Sequence, residues 1–242
     1  MSLDAGLHVI FAIFGVNMRI AIVQAEGAVA DTNIMLAVKR AGMESEMILW
    51  SAPSENLADF SGYILTDANT PGADLALQVI RAACHAGKPI LAFRTGVLPL
   101  LQSGLLPGLE NDEPCITLVP RVHQAARMQL FADYQLNAFT RHVKSNTTIA
   151  VEMIQPFEFD IRPALLAEMQ RLGSTVFYYE NDHSVAAISN KTGNVMAMLS
   201  NPFQGNEGDV ILFSMRDYIK EGYVQRVTPM HYYPRCIIPG RS

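Results

Sequence analysis

The chain has 242 residues, half of them hydrophobic and 17% charged, with a formal net charge of -5. That length suffices for one large α/β domain with a well-buried core, and the scattered basic residues, with no Lys/Arg run, exclude a nucleic-acid surface. Three widely spaced cysteines, Cys84, Cys115 and Cys236, with no C-x-x-C pair and no histidine ladder, exclude a zinc site and fit a reducing, cytoplasmic setting.

The first apolar run, "LHVIFAIFGV", is too short to span a membrane and lacks a basic n-region and a small-residue cleavage site, so neither a membrane segment nor a secretion signal is expected. Met18 then opens "MRIAIVQAEG", a first strand and turn. Residues 1–17 are therefore read as a leader or over-extended start outside the fold. The sequons at Asn146 and Asn190 have no glycosylating compartment to act in.

From there, strand-length apolar runs alternate with helical patterns. "RIAIVQA" (Arg19 to Ala25) precedes a helix over Thr32 to Ala41, stopped by Gly42; "EMILW" (Glu46 to Trp50) and "GYILTD" (Gly62 to Asp67) follow. A helix from Ala73 to Ala86 then leads to "PILAF" (Pro89 to Phe93). Near-continuous apolar strands separated by helices predict a parallel sheet covered on both faces, in a flavodoxin-like three-layer α/β fold. Ligands in such sheets gather at the carboxyl ends of the strands. The turns at Glu26-Gly27, Asp67-Ala68-Asn69 and Arg94-Thr95 all fall on that edge and are expected to converge.

Between Gly104 and Arg141 the pattern is irregular, with "CITLVP" and "MQLFADYQL" as candidate strands. Regular elements resume with "TTIAVEMI" (Thr147 to Ile154) and a helix over Pro163 to Gly173 that has proline in its first turn and glycine as its stop. "STVFYYE", "SVAAISN" and "NVMAMLS" are strands, the last two joined by a tight turn into a hairpin. A final amphipathic helix, Asp209 to Glu221, precedes a Pro-rich tail at 224–242, leaving 18–223 as one domain.

The order of these motifs resembles the class I (triad) glutamine amidotransferases, specifically the small glutaminase subunit of phosphoribosylformylglycinamidine synthase. "GKPILAFRTGVLPLLQSGLLPG" (Gly87 to Gly108) is similar to that family's strand, nucleophile elbow, helix and turn. "LAEMQRLGSTVFYYE" through "AAISNKTGNVMAMLSNP" (Leu166 to Pro202) and "MRIAIVQAEGAVAD" (Met18 to Asp31) resemble its C-terminal strands and its opening. The resemblance implies a partner, the large ATP-dependent synthetase to which that subunit passes ammonia, and a setting in de novo purine biosynthesis. It implies no cofactor.

The same resemblance places Arg94 where the family has its cysteine nucleophile, and Leu98 where a glutamine helps to hold substrate. A guanidinium stays protonated and has no usable lone pair, so it cannot form the thioester of glutamine hydrolysis. Asn201 stands in place of the histidine base, and Phe203 in place of the glutamate that orients it. The family's H-G-E-G-R-F motif corresponds to Gln155-Pro156-Phe157-Glu158-Phe159-Asp160. Its oxyanion turn corresponds to Thr66-Asp67-Ala68, where an acidic side chain opposes developing negative charge. The expected consequence is a protein without glutaminase activity, acting as a non-catalytic partner. The other readings are a small-molecule or anion-binding protein, or a different enzyme, on the same fold, and a homo-oligomeric structural protein with a closed cleft.

Two readings of Arg94 stand beside each other. In one, it joins Thr95, Gly96, Asn201 and Asp67 in a ligand site that captures a carboxylate or phosphate. In the other, it plugs the vacated pocket by pairing with an internal acid such as Asp67 or Glu158. Elsewhere, adjacent Cys84 and His85 diverge on their helix and do not form a nucleophile-base pair. Cys115 and Cys236 are read as unreactive, and the isolated His123, His142, His183 and His231 as structural or solvated.

Overall fold

The structure is a computed structural model that describes residues 18–28, 31–52, 57–68, 73–107, 109–110, 113–120, 127–130, 136–144, 147–151 and 157–223. The expected leader and tail, Asn69, Gln155, Pro156, His123, His231, Cys236 and the sequon at Asn146 lie outside the described residues.

The first half builds a parallel sheet. β1 (Arg19–Gln24), β2 (Glu44–Leu49), β3 (Gly62–Leu65) and β4 (Ile90–Phe93) are linked through α1 (Thr32–Arg40) and α2 (Ala73–His85). A 3-10 turn at Arg94–Gly96 runs from β4 into α3 (Val97–Gln102). Two short strands, β5 (Leu109–Glu110) and β6 (Glu113–Pro114), then pair with each other. The second half adds β7 (Ile116–Pro120), β8 (Arg127–Leu130), β9 (Thr148–Ala150), β10 (Phe157–Ile161) and α4 (Pro163–Arg171). β11 (Thr175–Tyr179), β12 (Val185–Ser189), β13 (Val195–Met198) and α5 (Asp209–Lys220) complete it.

Nine strands form the main sheet in the order β2-β1-β3-β4-β13-β12-β11-β8-β9. Its first five are parallel, in the flavodoxin-like order, and the rest extend it by antiparallel pairing. The expected hairpin is β12–β13, and "CITLVP" contributes β7, which pairs with β10 in a separate two-stranded sheet. β2 starts at Glu44, two residues before the apolar run, because its pairing with β1 begins at Arg19↔Glu44, where the side chains are solvent-facing and carry no hydrophobic signal.

Alternate residues of the parallel strands feed two cores. Ile20 and Ile22 pack with Ile34 and Val38 of α1 and Ile211 and Met215 of α5; Ala21 and Val23 face the layer that holds Ile80 of α2, Leu100 of α3 and Met169 of α4. Burial on both faces explains why these strands read as continuous apolar runs. Among the described residues, no helix is long and apolar enough to cross a membrane.

Two polar devices fix the layers. Asn194, buried in the β12–β13 turn, donates through Nδ2 to the carbonyls of Cys84 (2.9 Å) and Lys88 (3.1 Å), tying the hairpin to the α2–β4 connection. On the other face, His142 Nε2 lies 2.7 Å from Asp217 Oδ2 on α5, and Arg216 Nε donates to Asp217 Oδ1 at 2.7 Å. The Arg216 hydrogen bond, followed by the contact with His142, holds the Asp217 carboxyl down to about 2.

A depressed carboxyl pKa contributes stability above the unfolded value of roughly 4 and loses it as pH falls towards the folded value. Acid titration of unfolding should therefore show a fall in stability between about pH 4 and pH 2 that Asp217→Asn flattens. An unchanged slope in that variant would remove Asp217 from the acid transition.

Candidate functional site

Four neighbouring strands, β1, β3, β4 and β13, deliver their carboxyl ends to one edge of the sheet. Beyond β4 the chain turns abruptly. Arg94 takes φ 51, a left-handed conformation that non-glycine residues avoid at a cost of about 1–2 kcal/mol. Gly96, two residues on, lies so close to β3 that a Cβ there would sit 2.2 Å from the Thr66 carbonyl oxygen and 2.6 Å from that of Leu65. A strained residue at the bend followed by a backbone-tight glycine is the geometry of a nucleophile elbow.

The side chain raised by this elbow is held by acids. Arg94 Nη2 donates to Asp31 Oδ2 at 3.3 Å, and Nη1 lies 3.8 Å from Asp67 Oδ2. The side chains of Arg94, Asp31 and Asp67 are 13%, 12% and 29% exposed. Asp31 precedes α1, and its Oδ1 accepts the backbone N–H groups of Asn33 and Ile34, capping the helix. Its Oδ2 also accepts from Asn201 Nδ2 at 2.9 Å. One carboxylate thus joins the helix terminus, the elbow of β4 and the loop after β13.

Asn201 is itself fixed, because its Oδ1 accepts the N–H of Phe203 at 2.9 Å. Phe203 is buried edge-on against Phe93, the last residue of β4, with ring centroids 5.5 Å apart. Just before Asn201, Ser200 Oγ and the Tyr179 hydroxyl are 2.6 Å apart. Burial pushes that phenol up to about 12, so it stays protonated and supplies no base near neutrality.

The Thr66–Ala68 turn is also tied to its neighbours. The Ala68 N–H donates to Thr95 Oγ1 at 3.2 Å, the Thr95 hydroxyl faces Asp67 Oδ1 at 3.5 Å, and Trp50 Nε1 donates to the Asp67 carbonyl at 2.8 Å. An amide engaged in this way is not directed at an incoming oxyanion.

Arg94, Thr95, Gly96, Asp67, Asn201 and Phe203 therefore meet at one edge, although the chain separates them widely. Of the two acids expected to pair with Arg94, Asp67 faces it; Asp31, not foreseen as a partner, lies closer. The signal for Asp31 was present as an aspartate immediately before a helix start, which marks an N-cap but says nothing of a second oxygen facing the cleft. Phe157 to Asp160 lie on β10, where Glu158 opposes Val119 of β7. Leu98 is the second residue of α3 and is half-buried. Away from this edge, Cys84 is half-buried with its thiol pushed up by burial, Cys115 is buried, and His85 is exposed. Among the described residues, no group of three His, Cys, Asp or Glu side chains could hold a metal ion.

This fold and this elbow are similar to those of class I glutamine amidotransferase-like proteins. In particular, the chain is similar to phosphoribosylformylglycinamidine synthase subunit PurQ. It is 25% identical to that of Nocardia farcinica over 209 residues, 79% of this chain and 89% of the relative. It is 30% identical to that of Methanothrix thermoacetophila over 100 residues, 37% of this chain and 38% of the relative. No family model matches. Among solved structures, it superimposes on a chain of PurLQS from Thermotoga maritima with a TM-score of 0.61 and 19% identity, over 84% of this chain and 100% of that one. A putative GMP synthase component from Thermoplasma acidophilum gives a TM-score of 0.57 at 13% identity, covering 85% and 96% of the two chains.

Removing Arg94 should leave Asp31 and Asp67 without their cation, so Arg94→Ala is expected to lower stability by about 3 kcal/mol in urea unfolding. Arg94→Gly loses the same pair but relieves the left-handed backbone, and should recover about 1 kcal/mol of that loss. Equal losses in the two variants would show that the bend is unstrained. Gly96→Ala, which forces a methyl group against backbone oxygens, should cost about 3 kcal/mol, read from the same unfolding curves.

Proposed function

We propose that this chain is a glutaminase-like subunit that no longer hydrolyses glutamine and acts as a non-catalytic partner of a large synthetase. Similarity to PurQ supports the setting, synthesis of phosphoribosylformylglycinamidine in the purine pathway, and the PurLQS neighbour supports an assembly with larger subunits. The proposal takes residues 18–223 as one amidotransferase-like domain, with the tail at 224–242 outside it.

One observation carries the loss of chemistry. The positions that the resemblance equates with nucleophile and base are Arg94 and Asn201, and both are directed at the same carboxylate, Asp31. Acyl transfer from glutamine needs a nucleophile with an available lone pair, a group that accepts its proton, and donors for the tetrahedral oxyanion. Here the elbow offers a guanidinium, which has no such lone pair, and the neighbouring amide Nδ2 donates rather than accepts a proton. Phe203 packs where an acid would orient a base, and the Ala68 amide is taken by Thr95.

The arrangement favours a plugged pocket over an anion site. Two carboxylates face one guanidinium, so an added anion would meet an acidic surround. A small-molecule role for the cleft would need Asp31 to move away from both Arg94 and Asn201 and give up its cap.

The decisive assay is ammonia release from glutamine by the chain together with the large synthetase subunit of its own genome. The expected result is no turnover above a buffer blank, with synthetase activity retained on free ammonia. Glutamine-dependent turnover would overturn the non-catalytic reading. Failure of the two proteins to copurify under native expression would overturn the partnership.

A further inference from the structure

We draw no further inference here: the strongest candidate, the outer edge of the main sheet at β2, where Leu49 of that strand and Leu36 of α1 are exposed, is an unpartnered apolar face among the described residues, and nothing in the structure shows what covers it.

Discussion

The carboxylate of Asp31 organises the functional edge of this protein. One oxygen caps α1 and the other receives Arg94 and Asn201, so a single side chain satisfies a helix terminus, neutralises a half-buried guanidinium and anchors the loop that follows β13. A charge as little exposed as Arg94 demands such a partner, since burial of an unpaired ion costs several kcal/mol. The left-handed bend at Arg94 depends on the same contact: the pair and the packing of Gly96 against β3 hold a conformation that the local chain would otherwise leave.

That contact is available because of the sheet order. With β1, β3, β4 and β13 adjacent and parallel, their carboxyl ends lie side by side, and Asp31, Asp67, Arg94 and Asn201 follow those four strands. The antiparallel extension through β12, β11, β8 and β9 contributes the Tyr179 hydroxyl that braces Ser200, and the α1–α5 face is clamped by Arg40, which binds Asp209 through Nε and Nη2 at 2.6 and 2.8 Å. The loop from Asn201 to Asp209 is therefore held by α1 at both ends. A scaffold this constrained keeps the outline of the cleft while an internal ion pair occupies its centre.

Local patterns were enough for the architecture because the inner parallel strands are buried on both faces and each crossover helix shows one apolar stripe. Val23 and Ile22 need different covers, and only a three-layer arrangement supplies both. Where that logic failed, it failed for physical reasons. The start of β2 at Glu44 is solvent-facing, and β10 pairs with β7 rather than extending the main sheet, a choice made by long-range pairing that alternation of hydrophobicity does not encode.

The sequence by itself determined the layered α/β arrangement, the elbow with its glycine, and the chemistry open to Arg94, Asn201 and Phe203, because residue identity alone decides which side chains can donate, accept or attack. Only the tertiary structure decided what Arg94 holds. Asp67 and Glu158 were the acids that alignment offered, while the carboxylate at 3.3 Å is that of Asp31, which reads along the chain as a helix cap and nothing more. A cap is a contact with residues two and three positions on; a second partner sixty-three positions away exists only once β1 and β4 flank β3 in the sheet and bring their carboxyl ends to one edge.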